Sequence, residues 1–323
     1  MFKSRMENKK FRGVLFAVLF VIILVVLSIA VKPDYGEVYN IVQVKQKLQS
    51  FSKEKENTID VIFAGNSEVY STFSPLQLYM EQGISSYCMS ESALRLCDAL
   101  ELTKAAFETQ EPKVVVLEAD AIFSDADPHK DNYALPTNLI EDIFPIFHYH
   151  IFYKSFTTSE WRRKDPDLRI EHPLRGFIKT DLAVPYTGPA DYMNREENIS
   201  IGDDSMEYLE KFRIFCEEKK VPLVLTAAPT PGSWTWARHN ILQEYADAHD
   251  IPFVDMNLHL EEMEIDWNKD TMDGGNHLSF SGSKKASSFM GKYLMENYRL
   301  PNHYGEEAYA DWLKDNEEFE VYE

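Results

Sequence analysis

The stretch Ile59-Asp60-Val61-Ile62-Phe63-Ala64-Gly65-Asn66-Ser67-Glu68 decides the fold. Apart from Asp60 its first part is a short run of β-branched and aromatic residues, the pattern of a strand buried on both faces. A glycine, an asparagine and a serine follow at once, so the chain turns sharply where the strand ends. A serine on such a turn stands clear of the sheet, with backbone N–H groups close by to hold an oxyanion. That placement suits a nucleophile, and it equally suits a helix N-cap.

Working outward, strands and helices alternate. Residues 76–82 read as a short helix closed by Gly83. Residues 90–109 read as a longer one, with Ala93, Leu96, Cys97, Leu100, Ala106 and Phe107 at helical spacing. Val114-Val115-Val116-Leu117 is a second buried strand, Leu223-Val224-Leu225-Thr226 a third and Phe253-Val254-Asp255-Met256 a fourth. Helices are expected over 205–220, 237–249 and 282–298. The pattern predicts the α/β class: a three-layer, flavodoxin-like parallel sheet with helices on both faces. Active sites of such sheets lie at the carboxyl ends of the strands. Ser67, the Asp120 region, the Pro229 loop and the loop Asp273-Gly274-Gly275-Asn276-His277 are therefore expected to meet there. His277 is a candidate general base, and a carboxylate a few positions before it is a candidate orienting group.

Residues 13–31 are apolar apart from Ser28, long enough at about 1.5 Å per residue to come close to spanning a hydrocarbon core. Lys3, Arg5, Lys9, Lys10 and Arg12 precede the run against a single acid, Glu7. This asymmetry places the N-terminus in the cytoplasm and the bulk of the chain outside. Ser28-Ile29-Ala30 leaves a cleavable signal peptide as the competing reading, although the run exceeds the usual h-region. The expected organisation is a basic tail (1–12), a transmembrane anchor (13–31), a linker or juxtamembrane helix (32–58), the α/β domain (59–300) and an acidic tail (301–323). The tail carries at most a terminal helix with loose last residues. An insertion at about 121–201, rich in aromatics, has the character of a lid or substrate wall.

The chain of 323 residues carries a net charge of −20, and its first twelve residues contribute +4, leaving about −24 beyond them. Such a balance excludes nucleic acid as a partner. Cys88, Cys97 and Cys216 show no metal-ligand spacing, and the last two fall on apolar helix faces. His148 and His150 lie among aromatics without a clear carboxylate, which reads as core or lid rather than metal. Trp234 and Trp236 suit either packing or stacking on sugar rings. No cofactor and no metal is expected.

The strand followed by Gly65-Asn66-Ser67-Glu68, the alternating pattern and the late Asp273…His277 resemble the SGNH/GDSL hydrolase superfamily. Ser71, Pro75 and the segment Ala228-Pro229-Thr230-Pro231…Asn240…Tyr245-Ala246…Ile251-Pro252-Phe253-Val254-Asp255 are similar to its membrane-anchored branch, which includes the D-alanyl-lipoteichoic acid biosynthesis protein. The resemblance implies an SGNH-type sheet, Ser67 as nucleophile and His277 as base, acting on an ester. It implies oxyanion or substrate contacts at Gly65, Asn66 and near Ser90. Two departures stand out. The superfamily's acid lies three residues before the histidine, where this chain has Gly274, so Asp273 is the expected acid with Asp270 in reserve. Its Gly-x-Asn-Asp block is absent, since Val116-Leu117 leads into Glu118-Ala119-Asp120. The expected function is a membrane-tethered extracytoplasmic serine esterase or O-acyltransferase on a cell-envelope glycan or teichoic-acid-like polymer, with a membrane-bound acyltransferase as a possible partner. The alternative is an inactive assembly or binding factor on the same fold.

Overall fold

The computed structural model describes residues 2–31, 47–124, 143–144, 146–149 and 173–322. The chain divides into two compact units: Met1–Val42 with Pro128–Leu168, and Gln43–Asp127 with Arg169–Glu323.

The first unit is built on helix α1 (Phe2–Val31). Its span Phe11–Ile29 is long and apolar enough to cross a membrane, and its large side chains are exposed. The Ser28 hydroxyl accepts the Ile146 N–H (3.3 Å) of a one-turn helix, Ile146–Tyr149, which carries the backbone of His148. His150 and most of the expected insertion lie outside the described residues.

The second unit holds a five-stranded, wholly parallel sheet in the order β2-β1-β3-β4-β5. The strands are β1 (Val61–Gly65), β2 (Ser86–Ser90), β3 (Val114–Glu118), β4 (Leu223–Ala227) and β5 (Phe253–Asp255). This is the flavodoxin-like order, with its switch point between β1 and β3. β1 to β4 are buried along their whole length, which is why β1, β3 and β4 read as largely apolar runs. The interleaved helices are α2 (Ser67–Thr72), α3 (Pro75–Gln82), α4 (Leu96–Ala106), α5 (Asp203–Lys219), α6 (Trp236–His249), α7 (Phe280–Asn297) and α8 (Ala310–Phe319). One core cluster joins Phe63, Val69, Phe73, Val116, Val224, Met256 and Met290 across the sheet.

Two expectations need correction, and an open one is resolved. The helix expected over 90–109 starts only at Leu96, because Ser86–Ser90 is β2 and Ala93 takes a left-handed φ of 51° that no helix continues through. Of the two readings of the tryptophans, packing holds for Trp234, which is buried with Nε1 donating to Asp255 Oδ2 at 2.8 Å, while Trp236 is 40% exposed. The acidic tail is not loose. α8 docks with Trp312 and Val321 buried, and the Arg175 guanidinium lies 3.9 Å over the Trp312 ring while binding Asp315 at 2.8 Å. Arg175 also ties the tail to the sheet edge, since its carbonyl accepts the Cys88 N–H at 3.0 Å.

Candidate active site

β1 ends at Gly65, whose φ of +149° is readily adopted only by glycine. A Cβ there would lie 2.8 Å from Val69 Cγ2 and 3.0 Å from Glu118 Cβ, so the glycine lets the turn pass close over the end of β3. Asn66 then caps α2. Its Oδ1 accepts the Glu68 N–H at 3.2 Å, and its Nδ2 donates to Asp120 Oδ2 at 2.7 Å. Ser67 is the first residue of α2, half-buried at the carboxyl end of β1, where a helix leaves backbone N–H groups without intrahelical partners. Ser90 stands opposite Gly65 in the parallel register, fully buried, its hydroxyl without a partner among the described residues.

The histidine comes from the loop before α7, closed at its base by the Thr271–Leu278 bridge. Gly274 (φ +83°) and Gly275 (φ +120°) reverse the chain between acid and base. Asp273 Oδ1 accepts the N–H groups of Asn276 (3.0 Å) and His277 (2.9 Å), while Oδ2 faces His277 Nδ1 at 2.5 Å. That contact assigns the Nδ1 proton to the carboxylate side and leaves Nε2 an acceptor. Burial raises the Asp273 carboxyl, but the hydrogen bonds from His277 and Asn276 outweigh it and hold it below its ordinary value. Asp270 is committed elsewhere: it is fully buried and accepts from Lys285 Nζ (2.6 Å), Ser281 Oγ (2.6 Å) and the Asp266 N–H (2.7 Å). Of the two acids, Asp273 is the one on His277.

Ser67 and His277 are brought to one place but not into a mutual hydrogen bond. The Ser67 hydroxyl donates to Glu68 Oε2 at 3.1 Å, the other Glu68 oxygen lies 3.9 Å from His277 Nε2, and Nε2 is buried without a hydrogen-bond partner. Glu68 is therefore the side chain between the two. Burial first, then the charge of Asp120, pushes its carboxyl up to about 8. Beneath it Glu118, fully buried, is also raised, by desolvation and then by Glu68 and Asp120. Glu118 accepts the N–H groups of Asp120 (2.9 Å) and Ala228 (3.3 Å), so it joins the ends of β3 and β4.

A second network reaches the turn from α6. Arg238 binds Asp120 Oδ1 at 3.2 Å and Glu197 at 2.9 Å, holding the Glu197 carboxyl below its ordinary value against burial. Glu197 belongs to a segment that also touches the histidine loop: Gly274 N–H donates to the Val184 carbonyl at 3.0 Å, and Tyr186 packs against Gly275. Tyr186, Pro189, Asp191, Tyr192, Asn194 and Arg195 line a cavity of about 300 Å³ there. A separate cavity of about 390 Å³ at the β5 edge is lined by His239, Asp255 and Lys292 and by none of the residues around Ser67. The Pro229 loop joins through the Gly232 N–H, which donates to the Gly275 carbonyl at 2.8 Å. Glu68, Glu118, Arg238 and Glu197 carry no local sequence mark of these roles, because polar side chains read as ordinary surface residues until the fold buries or pairs them.

No family model and no curated protein matches this sequence. Among solved structures the chain is similar to a GDSL-like lipase from Bacteroides thetaiotaomicron, at 13% identity and a TM-score of 0.41, covering 79% of this chain and 98% of that one. It is also similar to a protein from Streptococcus pneumoniae assigned as a platelet activating factor, at 12% identity and a TM-score of 0.43, covering 77% and 91%. A third likeness is to a protein from Bacteroides fragilis assigned as an acylhydrolase, at 14% identity and a TM-score of 0.41, covering 78% and 95%. The α/β class rests on the strand order and parallel pairing of this chain itself.

Proposed function

We propose that this chain is a membrane-anchored, extracytoplasmic serine esterase or O-acyltransferase of the SGNH/GDSL kind, acting on acyl groups of a cell-envelope polymer. The observation that carries the reading is that Ser67, at the carboxyl end of a parallel strand, and a histidine already oriented by Asp273 lie against the same side chain, Glu68. In this reading Ser67 Oγ attacks the acyl carbon while His277 becomes the proton's destination, with Asp273 stabilising the imidazolium. His277 then protonates the departing oxygen, leaving an acyl-enzyme. Water completes a hydrolysis and a glycan hydroxyl completes a transfer. The cavity beside the loop supports a sugar-bearing substrate, because Tyr186 and Tyr192 offer ring faces and Asp191, Asn194 and Arg195 offer polar groups that converge there. α1 with its basic N-terminal flank supports an anchor whose N-terminus is cytoplasmic.

One observation favours the second reading, an inactive polymer-binding or assembly factor: Ser67 donates to Glu68 and not to His277. The two separate in one assay. Acyl groups released from, or exchanged onto, an O-acylated envelope polymer are measured with wild type and with Ser67→Ala. The enzyme reading expects loss to background in the variant. Full activity in a folded Ser67→Ala protein, or none in wild type, sinks it and leaves the binding factor.

A further inference from the structure

We infer that Glu68 is a further catalytic group beside Ser67, His277 and Asp273, a neutral carboxyl that relays the Ser67 proton to His277. The inference rests on the esterase reading and adds a residue that the resemblance does not assign.

The geometry carries it. Glu68 Oε2 already accepts the Ser67 hydroxyl at 3.1 Å, and Oε1 lies 3.9 Å from His277 Nε2. Nε2 is an acceptor whose Nδ1 partner is fixed by Asp273, and it is buried with no donor of its own. An orphaned buried acceptor is costly, and the donor it lacks is a carboxylic acid proton on Oε1. A shift of about 1 Å on substrate binding brings that contact to hydrogen-bond length, as catalytic hydrogen bonds commonly tighten in the loaded enzyme.

Burial and the acids facing Glu68 keep it protonated, against the pull of its own turn, where the Ser67 hydroxyl and the Glu68 backbone N–H favour the ionised form. The end of β3 presents Glu118 and Asp120, and the histidine loop presents His277 and Asp273. The nearby cation from α6, Arg238, is taken by Asp120 and Glu197. Burial among so many acids favours the neutral form at neutral pH, consistent with the upward displacement of this carboxyl.

The step balances. As Ser67 Oγ bonds to the acyl carbon, its O–H bond breaks and the proton passes to Glu68 Oε2. The Glu68 Oε1–H bond breaks in concert, and that proton passes to His277 Nε2. Glu68 ends neutral with its proton on the other oxygen, and the charges created are one oxyanion and one imidazolium, the latter beside Asp273.

The test is acylation of the full-length chain in detergent by p-nitrophenyl acetate, followed from neutral to alkaline pH and in mixtures of light and heavy water. Wild type should lose rate as pH rises through the ionisation of Glu68, because the ionised carboxylate has no proton to pass on. Its rate should bend downward with deuterium fraction, as two protons in flight require. Glu68→Gln, which keeps the hydrogen bonds but cannot relay, should lose about 100-fold or more in kcat with KM unchanged and should lose the alkaline decline. A linear isotope dependence in wild type overturns the relay even if the variant fails to fold. So does a folded Glu68→Gln protein with wild-type rate and pH profile. If Ser67→Ala abolishes turnover while Glu68→Gln does not, only the relay falls. If wild type never acylates, relay and esterase reading fall together.

Discussion

At the scale of single residues, the departure of Asp273 from the expected spacing is absorbed by backbone conformation. Gly274 and Gly275 both take positive φ, and the extra residue is stored in a turn that folds Asp273 back onto the His277 ring. The same carboxylate accepts two backbone N–H groups of the turn, so it shapes the loop and orients the base together. Asp273→Asn should keep the fold and cut turnover roughly 10²–10⁴-fold, because the amide no longer favours the Nδ1–H tautomer. Asp270→Asn should do the converse: it weakens a buried contact to Lys285 and costs about 1–3 kcal/mol of stability while leaving turnover of the folded protein intact. Steady-state kinetics beside urea titrations of both variants check this, and a severe kinetic loss in Asp270→Asn alone would reverse the assignment. Ser67, His277 and Asp273 were legible because a strand-end turn and a late Asp…His leave local marks. Glu68 was not, since its role comes from burial against Glu118 and from a histidine more than two hundred residues away.

At the scale of elements, the strands that sequence reveals are those whose burial dictates their composition. β1, β3 and β4 are mostly apolar, and the expected ends lie within two residues of those observed. β2, Ser86-Tyr87-Cys88-Met89-Ser90, is buried too, but it is bounded by serines and contains no β-branched residue, so nothing local marks it as a strand. Its placement is tertiary: it pairs with β1 on one side and is covered by the Arg175 segment on the other. α2 is too short at six residues for periodicity to show. The docking of α8 was likewise illegible, because its acidic sequence suits solvent unless Arg175 and the Trp312 pocket are present. Trp312 is 1% exposed and packs against the rings of Tyr79, tilted, and Tyr309, edge-on. Trp312→Ala should therefore destabilise by about 3–5 kcal/mol in chemical denaturation. A loss below about 1 kcal/mol, within the range of surface changes, would mean that the tail contributes nothing to the fold.

For the whole molecule, the acids that give the chain its charge are not all on its surface. Glu68 and Glu118 are buried at the meeting point of β1, β3 and β4, and both are displaced upward. A carboxyl with an ordinary value near 4.5 that is held near 8 when folded stays protonated while the unfolded chain ionises, so its contribution to stability falls as pH rises between those values. Glu68→Gln removes that dependence. The variant should match wild type in acid and melt a few degrees higher than wild type at pH about 8, with the gap opening steadily between. Thermal scans at several pH values measure it, and a gap that is constant or closes toward alkaline pH contradicts a neutral buried Glu68. The central claim is that Ser67 is a nucleophile served by His277. Its most direct measurement is covalent labelling of the full-length chain with a fluorophosphonate probe, the modified residue being located by mass spectrometry. The account predicts the label on Ser67 in wild type and little or none in Ser67→Ala, His277→Ala or Asp273→Asn. Equal labelling of wild type and Ser67→Ala, or a folded wild type that takes no label, would contradict it.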